Sequence, residues 1–421
     1  MAEPWKRVQR TFLVLTVSST LASSFIWGIN TLFLLDAGLS NAEAFAANAF
    51  FTAGEVIFEV PTGVVADTWG RRASYLLGTG TLLVSTLLYL AMWRVHAPFW
   101  GWALASALLG LGFTFFSGAT EAWLVDALAF SGFTGHLESV FSKAQTVTGA
   151  AMLVGSVAGG FIAQMTSLGV PYLIRSGMLL FTFLAAWLWM KDQGFTPDHG
   201  KGPIDEVRKV LRASIDSGWR NPPVRWLMLA ALISGGVGIY AFYALQPYLL
   251  ELYGDKRAYG IAGLAAAIIA GTQILGGLAG PFLHRIFSRR THVLVFASVT
   301  SAVSLAIIAR TPTFALAIGW VVIWGMAFAI GMPVRQAYLN GLVPSAQRAT
   351  VLSSYNLMES AGGVIAQPSL GRVADTLGYP AAYLACAAIQ VASIPFLLLA
   401  RRENAPSDPI ESDATTTGPT P

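Results

Sequence analysis

The chain is built from long apolar runs separated by short polar breaks. Residues 11–35, 75–93, 101–124 and 381–400 are each about 20 residues of almost unbroken hydrophobic sequence. That is enough to cross a hydrocarbon core of about 30 Å as an α-helix. The runs lack the period-two alternation of barrel strands. Lipid supplies no partner for a backbone N–H or C=O, so each run is predicted to be a helix that satisfies its own ladder. Cutting at the polar breaks predicts about twelve spans, near 11–35, 44–66, 74–93, 100–127, 139–166, 171–190, 224–250, 259–283, 291–309, 313–341, 350–374 and 380–400.

Composition agrees with lipid as the solvent. The 421 residues are 55% hydrophobic, 12% aromatic and only 11% charged, with a mean hydropathy of +0.60. A water-facing domain carries about 25% charged residues. Lys6, Arg7 and Arg10 precede the first run as they would in a secretory signal, but its apolar part exceeds the usual h-region of about 7–15 residues. It is expected to remain as the first helix. The one cysteine, Cys386, excludes an intrachain disulfide and is expected to fill space within a span.

The cations give an orientation. With both termini on one side, that side holds 19 Lys and Arg residues, and the other holds six: Arg94, Arg175, Lys256, Arg257, Arg310 and Arg372. The positive-inside rule then puts both termini in the cytoplasm. Arg335 is the one basic residue expected well inside a span. The longest polar break divides the chain into six-helix bundles at residues 1–190 and 224–400. Between them lies a central loop at 191–223, in which Ile204, Val207, Leu211 and Ile215 form one face of a possible amphipathic helix. The polar, Pro/Thr-rich tail at 401–421 is expected to be disordered.

The halves echo each other. GVVADTWGRR at 63 has a worn counterpart, GPFLHRIFSRR, at 280; SVFSKAQ at 139 is echoed by TVLSSYN at 350, and SLGVPYL at 167 by TLGYPAAYL at 376. Parallel repeats of six helices imply a pseudo-two-fold axis along the membrane normal and a site near mid-membrane. The expected fold is therefore all-α and integral to the membrane, with twelve transmembrane helices in two bundles.

Taken with that plan, the stretch from Gly63 to Arg72 resembles the loop motif of the major facilitator superfamily, and the match is intact at Gly63, Asp67, Gly70, Arg71 and Arg72. The resemblance covers all but the tail and implies alternating access, with this cluster latching the inner gate. Asp67 pairs naturally with Arg71, and Asp126, at the inner end of the fourth span, is a second expected partner. Residues 151–160, AMLVGSVAGG, are similar to a helix-five motif associated with antiporters. Gly155, Gly159 and Gly160 match, and a proline usual in that motif is absent. The alternative reading is that these small residues only let helices pack closely. The arginine that many proton-coupled relatives carry in helix four is also missing.

Four acids fall well within predicted spans, away from the Asp126 end position: Glu55, Glu59, Glu121 and Glu359. A charge at mid-bilayer costs about 2.5–3.5 kcal/mol, so such groups face the protein interior and usually serve function. A buried carboxyl can exchange a proton near neutral pH, and a cationic substrate can compete for it. Arg335 is a candidate counter-ion or anion contact. Asn30, Tyr240, Tyr243, Gln246 and Asn356 are candidate cavity-lining residues. The expected activity is proton-coupled efflux of lipophilic or cationic molecules, like that of bacterial drug/proton antiporters; uptake of a sugar, organic acid or anion is the alternative. There is no phosphate-binding loop, metal-ligand spacing or nucleophile triad, so neither an ATP-driven pump nor an enzyme is expected. The expected partners are the substrate, protons and the bilayer of a bacterial inner membrane. No cofactor, metal or nucleic acid is expected, and the protein is expected to act as a monomer.

Overall fold

A computed structural model describes residues 4–197, 218–343 and 345–410. Among these residues the protein is all-α. In chain order the helices are α1 (Pro4–Trp27), α2 (Asn30–Asp36), α3 (Asn41–Trp69), α4 (Arg71–Val95), α5 (Phe99–Thr114), α6 (Ala119–Phe130), α7 (Leu137–Met165), α8 (Gly169–Trp189), α9 (Pro222–Tyr253), α10 (Tyr259–Ile286), α11 (Arg290–Arg310), α12 (Phe314–Gly341) and α13 (Ser345–Arg402). Ten helical stretches are long and apolar enough to cross a membrane, and the bent pair α1–α2 makes eleven. Helix α13 is two helices meeting at Gly378, whose φ of 83° breaks the run. Divided there, the described residues hold twelve such helical stretches, the number the hydrophobic pattern predicts. The protein is a multi-pass membrane protein.

The chain forms two compact units. One is Met1–Val207 with Phe242–Ala267; the other is Arg208–Ala241 with Ile268–Pro421. Helix α9 thus ends in the first unit, and α10 begins there. Residues 242–267 are held in the first unit by close backbone packing. A side-chain carbon at Gly28 would stand 2.7 Å from the Cα of Gly263, and one at Gly160 would stand 2.7 Å from the carbonyl oxygen of Tyr259. Only glycine permits backbones to approach so closely. Gly159 packs on the carbonyl of Phe25 and Gly155 on Ser24, joining α7 to α1. The helix-five glycines therefore act here as packing surfaces, with α1 on one side and α10 on the other.

The core of the first unit is aromatic. Phe33 stacks on Tyr172 with centroids 4.0 Å apart and meets Trp102 edge-on at 6.0 Å. Arg175, expected on the outer side of the membrane, instead lies inside this core on α8, 1% exposed. It donates to Thr86 Oγ1 at 3.0 Å and to the carbonyl of Ala22 at 3.2 Å, while Nη2 has no partner. Hydropathy segmentation put it at a span's edge; the tertiary fold encloses it. The second unit packs α11 against α12 and α13 around Val293, Tyr338, Leu339 and Val351. Large apolar side chains such as Trp100, Met165 and Trp187 remain exposed, as a lipid-facing surface requires.

The expected tail disorder does not hold for residues 403–410. Asp408 is 1% exposed, accepting from Thr291 N at 2.8 Å and Thr291 Oγ1 at 3.0 Å. Ile410 N donates to the carbonyl of Ser288 at 3.1 Å. The polar composition suggested a solvated tail, but its acid satisfies the N-terminus of α11. The amphipathic helix expected at 204–215 and the tail beyond residue 410 lie outside the described residues.

Gly159→Leu is expected to lower stability by about 1–3 kcal/mol through overpacking against α1. Thermal denaturation in detergent, compared with wild type, checks this.

Candidate functional site

The motif after α3 is assembled as its spacing predicts, with one substitution of partners. Gly70 has φ 103° and separates α3 from α4. Arg71 Nη1 reaches Asp67 Oδ1 at 3.1 Å. Among the described residues no ion pair joins Asp126 to either arginine. The second acid is instead Asp192, just beyond α8. Its Oδ1 accepts from the backbone N–H of Arg72 at 2.9 Å, and its other oxygen fills the space where a Gly70 side chain would stand. Arg72 donates to the carbonyl of Trp187 at 2.7 Å and lies over that indole, 5.1 Å from its centroid. Partial desolvation raises the Asp192 carboxyl above its ordinary range, opposed by the Arg72 N–H and the charges of Arg72 and Arg71. A side-chain carbon at Gly63 would meet nothing within 4 Å, so no close backbone contact requires glycine there.

The two units use the same device. Asp192 follows α8 and caps the start of α4; Asp408 follows α13 and caps the start of α11. The carboxylate in each case accepts an N–H that the helix itself leaves unpaired, at the positive end of the dipole. Arg289 adds an ion pair to Asp408 at 3.7 Å. The repeat read between residues 63–72 and 280–290 thus extends to acids the sequence comparison did not align.

Glu55 and Glu59 lie one turn apart on α3. Glu55 is half-buried, and among the described residues no hydrogen bond or ion pair reaches its carboxyl. Gly110 of α5 packs against its backbone, and Tyr243 lies within electrostatic range. Glu59 is more open and accepts from Ser117 Oγ at 2.6 Å. Ser117 sits in a break that interrupts the fourth span between α5 and α6, a feature the hydrophobic run concealed. Gly118 takes φ 67° there, and Ser74 of α4 donates to the freed carbonyl of Phe115 at 2.8 Å. Glu121 is exposed in the first turn of α6, where the helix dipole favours an anion.

In the second unit Arg335 and Glu359 approach to 4.0 Å, and the guanidinium lies over Tyr355 at 5.0 Å. Arg335 is therefore a counter-ion rather than an unpaired cation. Tyr240 is fully buried and Asn356 is exposed in the same unit. Of the remaining lining candidates, Tyr243 is half-buried beside Phe242, with centroids 5.1 Å apart. Asn30 is engaged internally: its Nδ2 donates to Asn48 Oδ1 at 3.0 Å and its Oδ1 accepts from Tyr172 at 2.9 Å. Gln246 is 2% exposed and bonded to backbone.

Asp408→Ala is expected to cost about 1–3 kcal/mol by orphaning Thr291 N–H and Oγ1. Asp192→Ala, at a solvent-accessible cap, is expected to cost about 0.3–1 kcal/mol. Thermal unfolding in detergent ranks the two; equal losses would contradict the difference in burial.

Comparison with known proteins agrees with this architecture. The sequence model of the Major Facilitator Superfamily matches residues 12–286 and 261–421. An uncharacterized MFS-type transporter of Methanocaldococcus jannaschii is 20% identical over 366 residues, spanning 87% of this chain and 90% of that protein. Another, from Burkholderia mallei, is 27% identical over 343 residues, spanning 79% and 76%. Among solved structures, that of the nucleoside transporter NupG superposes with a TM-score of 0.76 at 13% identity, covering 93% of this chain and 98% of that one. With the family model matched along nearly the whole chain and its fold present, the protein belongs to the Major Facilitator Superfamily, a family of membrane transporters.

Proposed function

We propose that the protein is a proton-coupled secondary transporter that exports lipophilic or cationic small molecules by alternating access. The observation that carries this reading is Glu55: a half-buried carboxyl inside a membrane helix, without a cation or hydrogen-bond partner among the described residues and one turn from a second acid. Such a group is costly to ionise in place, so it exchanges its charge with a proton or with a cationic ligand. Glu55 is the proton-exchanging group. Glu59 of α3, bonded to Ser117 in the break between α5 and α6, and Glu121, in the first turn of α6, are two further acids at that break.

The uptake alternative drew its anion version from Arg335, and the Glu359 pairing withdraws that support. Charge placement favours both termini in the cytoplasm. Moving Arg175 out of the outer count leaves 19 cations against five. In that orientation Asp67, Gly70, Arg71, Arg72 and Asp192 form a cytoplasmic clasp. The cargo is a small molecule and the driving ion a proton, with no further cofactor.

The test uses inverted membrane vesicles with a proton gradient reported by a quenched dye. Cationic and neutral lipophilic compounds added to wild type are expected to restore the dye signal. Glu55→Gln is expected to reduce that response to the level of vesicles lacking the protein, and Glu121→Gln to reduce it partially. Wild-type silence towards every compound, with protein present in the membrane, would overturn the reading.

A further inference from the structure

The first span is broken. Helix α1 ends at Trp27, α2 begins at Asn30, and their axes differ by 50°. In an unbroken helix the N–H of Thr31 would donate to the carbonyl of Trp27, four residues back. Here the carboxamide of Gln246 occupies that gap. Its Oε1 accepts from Thr31 N at 2.9 Å, and its Nε2 donates to the Trp27 carbonyl at 2.7 Å. One side chain thus replaces a single rung of the ladder with two hydrogen bonds, and both orphaned groups are satisfied away from water. A side chain inserted into the i→i−4 ladder is a recognised cause of a helix kink.

The break is held from a second direction. Gly28, between α1 and α2, lies against Gly263 of α10 at a separation only glycine allows. The N–H of Gly260, in the first turn of α10, donates to Gln164 Oε1 of α7 at 2.9 Å. The segments 242–253 and 259–267 therefore clamp the bend between them. The far side of the bend is fixed within the bundle, where Asn30 bonds Asn48 and Tyr172.

We propose that Gln246 is a removable key in the first transmembrane helix. While the end of α9 is docked, its amide holds α1 and α2 apart at the ladder and the span stays bent. When α9 withdraws, Thr31 N–H closes directly onto the Trp27 carbonyl and the span straightens. The Thr31 N–H and the Trp27 carbonyl then have a partner in either state, which lowers the penalty for moving this break in lipid. Gln246 is a positioning residue: it acts through the shape of the first span. This rests on the alternating-access reading, because a fixed bundle would have no use for a reversible bend.

The experiment is amide hydrogen–deuterium exchange of the full chain in lipid nanodiscs, resolved to Thr31 and to residues 259–264. Gln246→Leu keeps the bulk of the side chain and removes both hydrogen bonds. The expected result is that Thr31 keeps its protection, because its N–H now bonds Trp27, while exchange at 259–264 rises about tenfold or more as the docked end releases. A filler with only a structural role gives the reverse: Thr31 exchange rises tenfold or more and residues 259–264 are unchanged. That result, or a change at neither site, overturns the proposal.

Gln246→Glu is the second variant should the leucine substitution fail to fold. In its neutral form the carboxyl accepts from Thr31 N–H and donates to the Trp27 carbonyl, so this variant held at acid pH is expected to show the wild-type pattern; the structural filler's pattern there again overturns the key. Failure of the dye assay with the expected exchange pattern would sink the proton-coupled export reading and leave the key standing. The opposite combination would remove the key alone.

Discussion

Every backbone N–H and C=O that leaves a helical ladder inside a membrane must find a partner in the protein, because lipid offers none. Much of what is distinctive here follows from how this chain meets that demand. The first span breaks after Trp27, and the Gln246 carboxamide bridges the two freed groups. The fourth span breaks after Thr114, and Ser74 takes the carbonyl of Phe115. At the ends of α4 and α11, where four N–H groups have no partner within the helix, Asp192 and Asp408 each accept one. The two span breaks are irregular backbone made tolerable by side chains from other helices, and the two helix starts are capped by acids, one solvent-accessible and one buried.

The same economy explains the glycines. Between helices in lipid there is little hydrophobic driving force, so association relies on close van der Waals contact. Gly28, Gly159, Gly160 and Gly263 bring α1, α7 and α10 to backbone contact. The helix-five motif is therefore legible as packing, and the proline it lacks is not required to produce a bend. The bend lies in the first span instead, where the Gln246 carboxamide bridges the opened rung.

Charge is distributed with equal care. Arg335 is balanced by Glu359, and Arg71 by Asp67. Arg175 is the exception among the buried cations. It is enclosed in an aromatic core and bonded only to neutral oxygens. Among the described residues Glu55 is a half-buried acid with neither a cation nor a hydrogen-bond donor at its carboxyl, and on that the proposed coupling role rests.

Apolar run length and the scarcity of charge were enough to determine the solvent, the helical class and the twelve crossings. Those are one-dimensional quantities: a span needs about 20 apolar residues whatever it packs against. Local spacing likewise gave the Asp67–Arg71 pair, four residues apart on one helix face. Hydropathy also placed Gln246 and Glu55 within spans, but not what they do there. Asp192 is 120 residues from the N–H it caps, and Gln246 is 215 residues from the rung it replaces. Arg175 looked like an outer-loop cation until the helices around it enclosed it, and the tail looked solvated until Asp408 was seen to be 1% exposed. Those contacts depend on which helices become neighbours, and that is decided only when the whole chain folds: a residue's distant partner leaves no periodic trace in its own stretch of sequence.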